Sequence, residues 1–258
     1  MDSPPHLSQA LQGIPRPVVA LASDYPAHAV ISPHHHPRAQ LVYAERGVMT
    51  VRTGQGSWVV PPERAVWVPA LTDHAVHAKT AIAMRSLYIE PAAAPSLPKT
   101  CAVVGVSPLL RELILRTAGL PRLYDPDGPD GRLVALLLDE IRMLPTLPLH
   151  LPMPNDPRLV KIARAILDAP ASGETLEDWG NRAGASSRTL ARLFVKETGM
   201  TFGRWRQQMR LLAALERLAT GQSVTTVAMD LGYESPSAFS SMFKRALGKS
   251  PSAYFTAS

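Results

Sequence analysis

The chain is poor in the features that would place it in several large classes. It holds one cysteine, Cys101, among 258 residues. That excludes an internal disulfide framework and leads us to expect a reducing compartment. No apolar run approaches the roughly 18 residues that cross a bilayer. The opening segment, MDSPPHLSQALQGIPRPVVALAS, has an acid at Asp2 and several prolines. It lacks a basic start leading into a long apolar core, so it reads as no signal peptide. A cytoplasmic protein with no membrane partner is the expectation. Charge of one sign is also missing from most of the chain. Residues 1–156 hold 13 Lys+Arg against 13 Asp+Glu, whereas residues 157–258 hold 14 against 8. The net charge of +6 therefore sits wholly in the last hundred residues. A basic surface so localised suits a polyanionic partner, most simply nucleic acid.

The length suits two domains, and a 46% apolar fraction allows both to have cores. From about residue 18 to 90, QLVYAERGVMTVRT, GSWVVPPERAVWVPA and HAVHAKTAIAMRSLYIE read as short strands broken by Gly and Pro. Short strands without helical period predict a small barrel or sandwich. PAAAPSLPK reads as a linker. Two helices are expected next. SPLLRELILRTAGL has Ser107 as cap and Pro108 in the first turn. PDGRLVALLLDEIRML places Leu133, Leu136, Leu137, Glu140, Ile141 and Leu144 near one face. Apolar stripes of this kind pack on the barrel or form a dimer surface. PTLPLHLPMPNDP reads as an extended, semi-rigid linker.

The last hundred residues contain a weak repeat. TLEDWGNRAGASSRTLARLFVKETG matches SVTTVAMDLGYESPSAFSSMFKRALG at an offset of 48, rising to 49. Each unit has the parts of a helix-turn-helix. Thr175 and Ser223 are cap types, and Asp178 stands at capping-box spacing from Thr175. Gly184 and Gly232 let the chain reverse. Ser187 and Ser235 are expected to cap the second helices, with Pro236 in a first helical position. Those second helices have two faces. Leu190, Leu193 and Phe194 in one, and Phe239, Met242, Phe243 and Ala246 in the other, face a core. Opposite them lie Arg188, Arg192 and Lys196, and Ser237, Ser240, Ser241 and Lys244 with Arg245 alongside. Helices that pack by one face and present donors on the other can enter a DNA major groove. Between the units, TFGRWRQQMRLLAALERLATG carries two apolar stripes and reads as a strut covered on two sides.

The paired units, the connecting helix and GYESPSAFSSMFKRALGKSPSAYF resemble the DNA-binding domain of the AraC/XylS transcriptional regulators over residues 157–255. The resemblance implies double-stranded DNA as partner, with Ser187, Arg188, Arg192, Lys196, Ser237, Ser240, Ser241, Lys244 and Arg245 at the DNA. It also implies core or positioning roles for Pro251 and Tyr254.

Upstream, His34, His35 and His36 precede a strand-like run. His34 and His36 alternate, so on extended chain they project to one side. With Gln40, Gly47, Pro69 and His74 they resemble the two motifs of a cupin barrel, H-x-H-x3-E-x6-G and P-x-G-x2-H, over residues 20–95. Gln40 replaces the usual Glu and Leu71 the usual Gly. A neutral amide is a poorer cation ligand than a carboxylate, yet three histidines suffice for Zn²⁺, Ni²⁺ or Fe²⁺. Three readings stay open at this point: a metal-assisted effector site formed by His34, His36, Gln40 and His74, a metal-free polar pocket, or a solvated turn. His35 points away and Arg38 projects from the rim.

The expected fold is α+β: a cupin-like β-barrel sensing an effector or metal (residues 1–98), a helical segment suited to dimerisation (99–150), and an all-α DNA-binding domain with two helix-turn-helix units (157–258). The expected function is a one-component, sequence-specific transcription regulator and not an enzyme. It would respond to a small molecule or divalent metal, act as a homodimer, and have RNA polymerase as a further partner. The competing classes are a cupin dioxygenase or isomerase with a nucleic-acid tether, and an architectural DNA binder without sequence preference.

Overall fold

A computed structural model describes residues 6–142, 146–147 and 149–255. The chain divides into two compact units, Met1–Gly54 with Trp58–His150, and Gln55–Ser57 with Leu151–Ser258.

The first begins with α1 (His6–Leu11). Eight strands follow: β1 (Val18–Tyr25), β2 (Val30–His34), β3 (Ala39–Arg46), β4 (Met49–Thr53), β5 (Gly56–Val60), β6 (Arg64–Val68), β7 (His74–Ala78) and β8 (Ile82–Ile89). Then come β9 (Ala102–Gly105), α2 (Pro108–Ala118), α3 (Pro129–Arg142), β10 (Thr146–Leu147) and β11 (His150–Pro152). The strands form two antiparallel sheets, ordered β1-β8-β3-β6-β9-β10 and β11-β5-β4-β7-β2. β3 shows why both are needed. Ala39, Leu41 and Tyr43 join the core that contains Leu110, Ile114, Leu137 and Ile141 of α2 and α3. Gln40 alternates with them on the opposite face and meets His74 of the second sheet. Covered on both faces, β3 is buried from Ala39 to Ala44. The β3–β4 turn requires glycine: Gly47 has φ +86°, and a Cβ there would lie 2.3 Å from the Ala81 carbonyl oxygen.

Three expectations change here. In α3 the buried residues are Val134, Leu137, Leu138 and Ile141, while Leu136 is exposed. These four recur at i, i+3, i+4 and i+7, the spacing of one helix face, and the charged Arg132, Asp139 and Arg142 are exposed outside it. Leu144 lies outside the described residues. The segment read as a Pro-rich linker supplies strand instead. β10 pairs with β9, β11 borders β5, and Leu149 and Leu151 are buried. Both strands lie at sheet edges, where proline's missing N–H does no harm. PAAAPSLPK is likewise packed: Ala94 is buried, and Trp67 Nε1 donates to the Pro98 carbonyl.

The second unit is helical: α4 (Pro157–Asp168), α5 (Leu176–Ala183), α6 (Ser187–Thr198), α7 (Phe202–Ala219), α8 (Val224–Asp230), α9 (Pro236–Leu247) and α10 (Pro251–Phe255). The caps follow the sequence closely. Thr175 and Asp178 form a full capping box, and Ser223 and Ser235 cap α8 and α9. In α6 the cap is Ser186, with Ser187 one position inside the helix. Phe202, Trp205, Met209, Leu212, Leu215 and Leu218 of α7 are buried, and α7 touches α6 and α8. Phe194 packs against Phe202 and Trp205, and Phe243 against Phe239 and Tyr254. Pro251 and Tyr254 are buried.

Candidate functional site

In the first unit, strand pairing puts His34 opposite His74, at the end of β2 and the start of β7. His36 lies in the β2–β3 connection, and Gln40 reaches in from β3. The three rings converge, with His34 and His74 centroids 4.4 Å apart and His36 and His74 5.3 Å apart. One ring nitrogen from each lies within 4.8 Å of the others. His36, Gln40 and His74 are buried.

The backbone sets the tautomers. His34 Nδ1 lies 2.9 Å from the Ser32 carbonyl oxygen, His36 Nδ1 2.5 Å from that of Arg38, and His74 Nδ1 2.8 Å from that of Thr72. A carbonyl only accepts, so each Nδ1 carries the proton and each neutral ring keeps its lone pair on Nε2. A second partner that fixes the ring in this way is what metal-binding histidines ordinarily have. The Nε2 atoms of His36 and His74 lie 3.1 and 2.9 Å from Gln40 Oε1. The Gln40 amide nitrogen donates to Ser86 Oγ at 2.9 Å and Tyr88 Oη at 3.3 Å. Burial holds the His36 pKa below the usual histidine value, against opposing hydrogen bonds from Gln40 and Arg38. Burial lowers that of His74 to about 4. Both rings are therefore neutral near pH 7, and their lone pairs face an oxygen that also carries lone pairs. A cation among these atoms, or an amide turned to donate its N–H groups, resolves the conflict.

Around this cluster the other residues sort themselves. His35 turns outward to an exposed contact with Asp73 at 2.8 Å, as expected. Arg38 does not reach the rim. It is 1% exposed, donates to the carbonyls of Ile14 and Arg16, and pairs with Glu90 at 2.6 Å. The reason is local: the segment before β1 crosses here with its carbonyls turned toward β3, and one guanidinium has enough donors for several of them. Leu71, where the cupin motif has glycine, keeps the left-handed backbone with φ 59° and its amide donates to the His36 carbonyl. Sequence reasoning missed Ser86 and Tyr88. Their i, i+2 spacing on a strand was the available signal that they share a face.

In the second unit some cations are tied down and others are left without ion pairs among the described residues, the latter including the exposed Lys161 and Arg164 of α4 and Arg204 of α7. Arg158, Arg182 and Arg217 pair with Asp156, Glu174 and Asp230. Arg206 donates to the Glu174 carbonyl, and Arg210 to those of Pro170 and Ser172 while lying over the Tyr233 ring. Gly232 makes room for this bracket, since a Cβ there would lie 2.8 Å from the Ala171 oxygen. By contrast Arg188, Arg192 and Lys196 on α6, and Lys244 and Arg245 on α9, are exposed, and none has an ion-pair partner among the described residues. Ser187, Ser237 and Ser241 are exposed beside them and Ser240 is half-buried. Behind these faces Leu190, Phe194, Phe239, Met242 and Phe243 are buried, whereas Ala246, expected among them, is exposed.

Comparisons with known proteins agree with both units. The family described as an AraC-like ligand binding domain matches residues 17–126, and one described as a helix-turn-helix domain matches residues 179–257. The HTH-type transcriptional regulator NimR of Escherichia coli strain K12 is 38% identical over 221 residues, covering 86% of this chain and 81% of that protein. The regulatory protein SoxS of the same strain is 40% identical over 74 residues, 28% of this chain and 69% of that protein. Among solved structures, an apo ToxT variant from Vibrio cholerae strain SCE256 matches with a TM-score of 0.40 at 12% identity, over 93% of this chain and 97% of that one. Among the described residues no helix is long and apolar enough to cross a membrane.

Proposed function

The chain belongs to the AraC-type family of helix-turn-helix transcriptional regulators, with an N-terminal ligand-binding domain and a C-terminal DNA-binding domain, and on that premise we propose how each unit works. The C-terminal unit (157–258) reads a specific operator in double-stranded DNA with α6 and α9. Arg188, Arg192, Lys196, Lys244 and Arg245 supply charge, and Ser187, Ser237, Ser240 and Ser241 supply hydroxyls. The observation that carries this is the contrast between arginines tied to carboxylates or carbonyls and five exposed cations left without ion pairs on the two helix faces. The protein acts as a homodimer in the cytoplasm, with RNA polymerase as a further partner, and turns over no substrate.

The effector that the N-terminal unit binds is a divalent cation, of the Zn²⁺, Ni²⁺ or Fe²⁺ class that imidazole suits. His34, His36 and His74 hold it through Nε2, with Gln40 beside them. The cation supplies charge and nothing more. It regulates because it binds one conformation of the chain better than another.

A quantitative footprint on the protein's own promoter region tests the DNA face. Changing Arg192→Ala and Lys244→Ala together should weaken binding about 100-fold. Unchanged binding would remove α6 and α9 from the interface. Metal content and cobalt titration test the sensor. Cobalt should bind the parent and not His74→Ala. If DNA affinity instead responds to an organic molecule with no metal present, the metal-free pocket is the correct reading.

A further inference from the structure

Gln40 departs from the motif that its neighbours follow, and its surroundings say what the departure does. Its amide stands between two pairs of groups. On one side are Nε2 of His36 and His74, and on the other are Ser86 Oγ and Tyr88 Oη. The imidazoles cannot adapt, because their Nδ1 protons are held by the carbonyls of Arg38 and Thr72. The hydroxyls can, because a hydroxyl donates or accepts as its hydrogen turns. The amide can also adapt, because its oxygen and nitrogen exchange places by a half-turn about the last side-chain bond.

Two arrangements satisfy the amide and these four neighbours. With a cation present, Oε1 points inward as a fourth ligand and the amide nitrogen donates to Ser86 and Tyr88. Without one, oxygen would face two lone pairs, so the amide turns. Its two N–H groups then donate to the two Nε2 atoms, and Oε1 accepts from the two hydroxyls. A carboxylate at this position cannot do this, since an ionised carboxylate has no proton to give.

We propose that Gln40 is a reversible plug of the histidine site: its amide closes the empty site with two N–H···N hydrogen bonds and turns over to coordinate an entering divalent cation through Oε1. This rests on the reading of His34, His36 and His74 as a cation site, and it gives that site a regulation. The cation must displace hydrogen bonds to enter, and its departure is met by their return. Affinity is held to the range of an exchangeable signal, where a carboxylate would make the cation a resident.

The experiment uses the full-length protein stripped with chelator. Co²⁺ binding is followed by visible absorption and calorimetry in the parent, Gln40→Glu, Gln40→Ala and His74→Ala. Gln40→Glu should bind at least about tenfold more tightly, because a charged oxygen replaces a neutral one. Gln40→Ala should change the Co²⁺ band, because a ligand is lost. Independently of any variant's folding, the side-chain amide resonances of Gln40 in the ¹³C,¹⁵N-labelled parent, assigned by through-bond correlation to the Gln40 backbone, should shift when Zn²⁺ is added. If both Gln40 variants keep the parent's affinity and spectrum and the amide resonances stay fixed while His74→Ala abolishes binding, the cation site stands and the plug is wrong. If the parent binds Co²⁺ no better than His74→Ala, the site and the plug fall together.

Discussion

The two units treat polar groups in opposite ways. The N-terminal unit buries them: His36, Arg38, Gln40, Thr50, His74, Ser86 and Thr117 are all below a tenth exposed. In the C-terminal unit Thr198 is the corresponding residue among those described, and the cations of α6 and α9 stay in water. The difference follows from the size of the ligand. A small effector must be gripped by a few groups whose directions are fixed in advance, which needs a dry setting and complete hydrogen bonding. A DNA duplex is met over a wide face, and charges in water gain by displacing its counterions. Arginine shows both uses. Arg38 is a structural clamp at 1% exposure, whereas Arg188 and Arg192 keep their donors for a partner.

The sharpest way to break this comparison is to remove one arginine of each kind. Arg38→Met keeps the bulk but removes the donors to the carbonyls of Ile14 and Arg16 and leaves Glu90 to water. Loss of about 2 kcal/mol of unfolding free energy is expected. Arg192→Ala, at an exposed helix position, should change stability by less than about 0.5 kcal/mol while weakening DNA binding. Urea denaturation of both variants settles it. Equal stability losses would mean that the buried and exposed arginines do not differ in kind.

A second test uses pH and affects only the buried polar cluster. In chelator-treated protein the folded-state pKa values of His36 and His74 are depressed, that of His74 to about 4. Above pH 6.5 both rings are neutral whether the chain is folded or not. As pH falls from 6.5 towards 4, the unfolded chain takes up protons that the folded one refuses, so stability falls. The sensitivity should reach about 3 kcal/mol across that window, and His74→Gln should remove most of it. Denaturation midpoints at pH 7, 5.5 and 4.5 measure it. A midpoint that stays flat in the parent would show that the histidines are not held neutral by burial.

How much of this was legible in the sequence differs between the units for the same reason. In the C-terminal unit the information is local. Caps, turn glycines and the i, i+4 faces of α6 and α9 are properties of short segments, and only small slips occurred, such as Ser187 for Ser186. In the N-terminal unit the decisive facts are long-range. The motif spacing identified His34, His36, Gln40 and His74, because alternation along a strand is local. It could not show that Arg38 turns in to hold the segment near Ile14. The prolines at 145–157 suggested a linker because proline cannot donate to a sheet. They were compatible with strand because β10 and β11 lie at edges, and edge position is a property of topology.

The smallest expected effect tests how closely the N-terminal unit follows its motif. Leu71 replaces a glycine yet keeps φ at 59°, and its side chain is 70% exposed. The turn holds this conformation because the Leu71 amide donates to the His36 carbonyl at 2.9 Å, which helps to place a ring of the cluster. A left-handed backbone costs a residue with a Cβ about 1–2 kcal/mol. Glycine escapes that strain but gives the unfolded chain more freedom, an opposing effect of up to about 1 kcal/mol. Leu71→Gly should therefore stabilise the protein by about 0.5 kcal/mol, and it should leave cobalt affinity unchanged because no cluster contact involves the Leu71 side chain. A loss of stability would mean that the exposed leucine is held by contacts of its own. A change in cobalt affinity would mean that strain in this turn is transmitted to His36 and belongs to the site.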